Sequence, residues 1–187
     1  IIMSTGLATL NEVKESALFI KNIWKERHVS QELALLHCIS AYPAPLEGVN
    51  LLAIRELEQV ANVVGFSDHT MGTEAAVLSV AIGARVIEKH FTLDNNYSDF
   101  HDHQLSANPV DFKKMVDRIR QAEKMLGTGE KIPSDSELEG KHNARRSIVA
   151  KYDLPDRHTI THDDLDWTRP RKGLNPGEED LLIGYKL

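Results

Sequence analysis

The sequence has one cysteine, Cys38, in 187 residues. No disulfide can form within the chain, and a reducing cytoplasm is the expected setting. No apolar run approaches the roughly 20 residues of a membrane-spanning helix, and no signal-peptide pattern opens the chain. Runs of lysine or arginine are also missing. With 22 Lys+Arg against 28 Asp+Glu, the formal net charge is -6 when the nine histidines are neutral. That balance argues against nucleic acid as the main partner. No glycine-rich dinucleotide fingerprint follows any strand-like segment, which lowers the prospect of a Rossmann domain.

What is present is ordinary globular material, 41% hydrophobic and 27% charged. It suffices for one full core, or for a partial core with a small appendage. The chain starts at Ile1-Ile2-Met3 and stops at Leu181-Leu182-Ile183-Gly184-Tyr185-Lys186-Leu187, both inside apolar patterns. It reads as a piece of a longer polypeptide.

Four short apolar runs, Ile1 to Met3, Leu33 to Leu36, Val63 to Phe66 and Arg85 to Phe91, are each followed by a helical pattern. Thr9-Leu10-Asn11-Glu12 has capping-box form ahead of Val13, Ala17, Ile20 and Trp24. Asn50 is placed to cap a helix bearing Ile54, Leu57 and Ala61. The helix from Thr73 to Ala84 is apolar nearly all round, so burial on more than one side is expected. After a polar loop from Thr92 to Ser106, Asn108-Pro109 opens a last helix that Gly127 closes. Repeating β–loop–α units mean parallel strands with right-handed crossovers. The fold class is α/β: an open doubly wound sheet, or four of the eight units of a (β/α)8 TIM barrel. From residue 129 the texture changes. Residues 129–143 suit a linker, and 144–187 read as a small, mostly β, incomplete domain.

Strand alternation puts Ser67 and His69 on one face, and Glu88 and His90 on one face. On neighbouring strands both imidazoles can converge on one divalent ion, leaving positions open for water and substrate. The pattern equally describes two hydrogen-bonded polar histidines at strand ends. Ser4, Ser40 and Ser67 each fall just past a strand, where hydroxyls can hold an anion such as phosphate or simply cap helices. Asp99 to His103 is dense in acids and imidazoles; His101 and His103 read as parts of a solvated loop. Arg145-Arg146 and Arg169-Pro170-Arg171 read as surface charge, and Cys38 as packing.

Taken in order, the motifs carry a resemblance. Ser4-Thr5-Gly6, then Leu36-His37-Cys38-Ile39-Ser40-Ala41-Tyr42-Pro43, then Gly65-Phe66-Ser67-Asp68-His69-Thr70, then Glu88-Lys89-His90-Phe91-Thr92 follow one another. The set resembles the sialic acid synthase family. The tail, from Arg145-Arg146-Ser147-Ile148-Val149-Ala150 through Trp167-Thr168-Arg169-Pro170, is similar to the family's antifreeze-like (SAF) domain. The resemblance implies the C-terminal half of a TIM-barrel synthase domain over 1–128 and an incomplete SAF domain over 144–187, in a domain-swapped homodimer. It implies condensation of phosphoenolpyruvate with an N-acyl hexosamine, N-acetylmannosamine or a related sugar, with water consumed and phosphate released. A divalent metal would take part, commonly manganese, with magnesium or cobalt as alternatives. His69 and His90 would hold that ion. Ser4, Ser40 and Ser67 match positions contacting phosphoenolpyruvate, while Tyr42 and Asp102 match positions facing the sugar. Arg169 matches an arginine that reaches into the partner's site.

Two departures stand out. Many members carry Pro-Gly-Pro-Asp-His in the loop after the second histidine. This chain has Ser98-Asp99-Phe100-His101-Asp102-His103, and the match to Asp102 rests on the register from His103 to Ser106. The first four barrel strands, with the family's substrate-binding lysines and acid–base carboxylates, have no counterpart here, so the chain alone is expected to be inactive. Two other functions compete: another metal-dependent barrel aldolase or hydrolase, or a non-catalytic carbohydrate-binding or dimerising module.

Overall fold

Four short strands, β1 (Ile2–Ser4), β2 (Ala34–Cys38), β3 (Val63–Asp68) and β4 (Val86–Lys89), form one parallel sheet in that order. The computed structural model describes residues 1–169 and 173–187, with His142 described by its backbone alone. The crossovers carry α1 (Leu10–Glu26), α2 (Ile54–Leu57) and α3 (Glu74–Ile82). After β4 come α4 (His101–Leu105) and α5 (Pro109–Leu126). Sequential parallel strands joined by helices are the barrel pattern. They make a parallel α/β half-barrel, with the four βα units read from the sequence.

Side-chain alternation decides where the core lies. Leu33, Leu35, Val64 and Phe66 point to the helix side, where they pack with Val13, Ala17, Ile54, Leu57 and Ala75. Leu35 and Phe66 are sealed from solvent. Full burial of one such side chain stabilises by about 1.5–3 kcal/mol, which is what holds helices onto the outer face. The inner face carries a different set. Ser4 pairs with Leu36, Leu36 with Gly65, and Cys38 with Ser67, which in turn pairs with Glu88.

Local signals explain most boundaries. Thr9 and Glu12 close the expected capping box on α1, and the Thr9 hydrogen bonds hold the Glu12 carboxyl below its usual range. Asn108 accepts from Val110 and Asp111 at the start of α5, Pro109 is its first residue, and Gly127 ends it at φ 61°. Two expectations need correction. Asn50 is not a side-chain cap: it sits in the left-handed region (φ 46°, ψ 53°), which asparagine tolerates. Two 3₁₀ turns, Leu46–Gly48 and Leu51–Ala53, take up that segment, and only Ile54–Leu57 is α-helical. Ile54, Leu57 and Ala61 are nonetheless buried together. α3 packs on β3 and on α5, the burial on more than one side that its apolar surface led one to expect, and leaves Leu78 58% exposed. The segment Thr92 to Ser106 is not all loop, because it contains α4.

The chain divides into two compact units, Ile1–Gly129 and Glu130–Leu187. The expected linker is largely helical. Ser134 and Glu137 form a capping box that starts α6 (Asp135–Ala144), a Ser-x-x-Glu signal that polarity and Pro133 obscured. The second unit otherwise holds an antiparallel ribbon of β5 (Ser147–Ala150) and β6 (Leu165–Thr168). Ile148, Ile160 and Leu165 form its core, flanked by Leu154, Trp167, Leu174 and Leu182. Among the described residues no helix is long and apolar enough to cross a membrane.

Candidate functional site

His69 and His90 each follow the last residue of a strand, β3 and β4. They lie two residues past Ser67 and Glu88, which pair across the sheet, so alternation turns both imidazoles to the inner face. Their ring centres are 5.2 Å apart and the planes are 85° to each other. His69 is buried, and its Nδ1 lies 2.8 Å from the Ile39 carbonyl oxygen. A carbonyl can only accept, so Nδ1 carries the hydrogen, and in the neutral ring Nε2 presents a lone pair. Fixing the tautomer through the second nitrogen is how metal-ligating histidines are oriented. The Ala44 amide also donates to the His69 carbonyl at 2.9 Å, tying the loop after β2 to the end of β3.

Tyr42, on that loop beside a cis Tyr42–Pro43 bond, covers the pair. Its ring centre is 4.2 Å from that of His69 and 5.8 Å from that of His90. Asp102, on α4, brings Oδ2 to 3.9 Å from His90 Nδ1, with its other oxygen 3.2 Å from His101 Nε2. The structure therefore brings His69, His90, Tyr42 and Asp102 together.

The serines behave differently from one another. Ser67 is buried and donates to Glu88 Oε1 at 2.6 Å. To meet an anion it has to turn that hydroxyl away from Glu88. Ser4, aligned with Leu36 and Gly65, stands one pleat repeat below Ser67. Ser40 lies in the loop after β2, against Gly6. A Cβ on Gly6 would meet Ser40 Oγ at 2.2 Å, so any larger residue there would make that hydroxyl turn away. Arg169 is exposed in the second unit; Pro170 and Arg171 lie outside the described residues.

Three other side chains have partners that the sequence did not show. Cys38 is buried, as the packing reading has it, and its Sγ lies 3.8 Å from His69 Nδ1. His101 is not simply solvated: it lies against Asp102 and 6.0 Å from the Tyr42 ring. His103 is held by Thr92 Oγ1 at 2.9 Å. Alternation already put Glu88 on the inner face with His90, and the density of acids and imidazoles from Asp99 to His103 was the one signal for the loop histidines.

The donor set suits a divalent ion of borderline softness. Two imidazoles with this ring separation can share an ion that needs about 2.1 Å to each nitrogen. Among the described residues no three His, Cys, Asp or Glu side chains gather as a metal cluster.

Residues 1–131 match the NeuB family. The chain is 42% identical to N,N'-diacetyllegionaminic acid synthase of Legionella pneumophila, over all of this chain and 52% of that protein. It is 40% identical to pseudaminic acid synthase of Campylobacter jejuni, over 99% of this chain and 52% of the relative. The crystal structure of N-acetylneuraminic acid (sialic acid) synthetase from Leptospira borgpetersenii, in complex with citrate, superposes with a TM-score of 0.64 at 35% identity. That alignment covers 75% of this chain and 47% of the synthetase. The chain thus spans about half the length of the curated relatives it matches. On the family match and these identities, the chain belongs to the NeuB family.

Proposed function

We propose that this chain supplies the C-terminal half of the barrel, and part of an SAF domain, to a nonulosonic acid synthase. The enzyme condenses phosphoenolpyruvate with an N-acyl hexosamine and water, forming a carbon–carbon bond and releasing phosphate. The observation that carries the reading is the convergence of His69, His90, Tyr42 and Asp102 at the C-terminal ends of adjacent parallel strands.

In this reading His69 and His90 hold a divalent ion, manganese first. When bound, the ion polarises the sugar aldehyde and positions the attacking water. Tyr42 and Asp102 face the sugar, with the Asp102 carboxylate accepting from its hydroxyls. Ser4, Ser40 and Ser67 hold phosphoenolpyruvate, and Ser67 exchanges its bond to Glu88 for one to the substrate. Substrate-binding lysines and the remaining carboxylates come from the other half of the barrel, so this chain alone does not turn over. The second unit belongs to the SAF domain of a domain-swapped homodimer, and Arg169 reaches the partner's site to bind the N-acyl group. The cytoplasm is the expected compartment.

The test is phosphate release by the complete polypeptide carrying this sequence, stripped of metal and resupplied with manganese. Release that needs phosphoenolpyruvate, an N-acyl hexosamine and manganese together supports the reading. Turnover of either substrate alone, or undiminished turnover without metal, overturns it.

A further inference from the structure

On the sheet face opposite the imidazoles lies a sealed ionic cluster. Asp68 and Lys89 are register partners across β3 and β4, and their side chains are 0% and 1% exposed. Lys89 Nζ donates to Asp68 Oδ2 at 3.1 Å and to the Thr70 carbonyl at 2.5 Å. Asp68 Oδ1 accepts from the Thr70 amide at 2.8 Å and from its hydroxyl at 2.7 Å. The inner-face residues Ser67 and Glu88 are bonded at the level just below.

Burying two charges carries a desolvation penalty, and a well-packed apolar pair of similar volume often serves stability as well or better. Placement is what distinguishes this pair. Asp68 immediately precedes His69, Lys89 immediately precedes His90, and Thr70 immediately follows His69. Both flanks of His69 and the residue before His90 are therefore tied through one ammonium group. A slip or splay between the strand ends would break the two charge-assisted hydrogen bonds that Lys89 makes to Asp68 and to the Thr70 carbonyl, in a dry environment where they are strong. An apolar pair would fill the space without setting the register.

We propose that the Asp68–Lys89 pair is a positioning device that fixes the relative height and orientation of the two imidazoles. Neither side chain touches substrate or metal; both act through His69 and His90. The proposal builds on the reading that these histidines hold an ion, and its test separates the two.

The experiment compares, in the complete polypeptide, the wild type with Lys89→Met, Asp68→Asn and the double variant Asp68→Leu/Lys89→Met. Three readouts are taken: melting temperature, manganese affinity by titration of the metal-free protein, and the His69 tautomer by nitrogen-15 NMR without metal. The single variants leave one charge buried and should melt early. The double variant should recover most of the melting temperature, yet bind manganese at least about tenfold more weakly and lose the single Nδ1–H signature of His69. Recovery of melting temperature together with wild-type affinity and tautomer would overturn the proposal and leave the pair a purely structural element. Should the double variant not fold, Asp68→Asn decides. It keeps the volume and acceptor oxygen, and wild-type affinity and tautomer there overturn the proposal equally. Absence of manganese binding by the wild type would sink the metal reading, while the tautomer still decides whether the pair positions His69.

Discussion

The imidazoles of His69 and His90 meet edge to face, 5.2 Å between ring centres, across the C-terminal ends of two adjacent parallel strands. One of them is further constrained: the Ile39 carbonyl holds the hydrogen of His69 on Nδ1. His69 is thus prepared to offer Nε2 without any rearrangement, which lowers the entropic cost of engaging a ligand.

The proposed function makes that constraint measurable. In the complete polypeptide, His69→Ala and His90→Ala should each abolish manganese binding in the micromolar range. Each should lower kcat/KM for phosphate release by at least about a thousandfold, equivalent to ~4 kcal/mol of transition-state stabilisation. Calorimetric titration and coupled phosphate detection check the two effects. Retention of both by either variant excludes a two-histidine site.

Gly65 tests how closely the strands beneath the site must approach. A Cβ there would meet the Val86 carbonyl oxygen at 2.2 Å and Leu36 Cδ2 at 2.6 Å. The first contact is with backbone, which cannot swing aside as a flexible side chain can. Gly65→Ala should force β3 from β4 and destabilise the first unit by about 1–3 kcal/mol or more. Urea denaturation would show a lowered midpoint; an unchanged midpoint would mean that the strands have slack.

The sheet's opposite face carries a companion expectation. Phe66 is 1% exposed, stacks on His37 at 6.0 Å and belongs to the main core cluster. Phe66→Ala should cost about 3–5 kcal/mol, from lost transfer energy plus the cavity left behind. Denaturant unfolding of the barrel unit measures it. A loss below 1 kcal/mol would mean that the helices collapse into the space.

These contrasts show what could be read from the chain in advance. Strand positions and the inward direction of Ser67, His69, Glu88 and His90 follow from period-two alternation, a local property of the backbone. The caps at Thr9 and Asn108 are equally local. Asn50 misled because its side chain favours capping while its backbone also tolerates the left-handed region, and the chain took the second course. Contacts made by loops were hidden for a different reason. His101 beside Tyr42 joins segments about 60 residues apart, and no periodicity encodes that meeting. The same holds for the sulfur of Cys38 beside His69, where a lone cysteine on a strand carries no hint of its neighbour.

The second unit should respond to acid through Asp164. Its carboxylate is buried and accepts from the Tyr152 hydroxyl, from His158 Nε2 at 2.8 Å, and from the Thr161 amide and hydroxyl, each at 2.8 Å. Tyr152 contributes most, then His158 and the Thr161 amide, and together they hold the carboxyl far below the usual carboxylate range. Unfolding releases it to an ordinary value near 3.9. Because the folded state binds this proton less readily, the stabilisation is complete at neutral pH. It declines once pH falls below about 4 and disappears as pH approaches the folded value. Asp164→Asn should therefore lower the stability of the unit at pH 7 and flatten its dependence between about pH 4 and pH 2. Methyl NMR of Ile148, Ile160 and Leu165, which form the core of that unit, reports its unfolding separately from the barrel half. Parallel pH profiles for wild type and variant would show that the network around Asp164 does not couple folding to protonation.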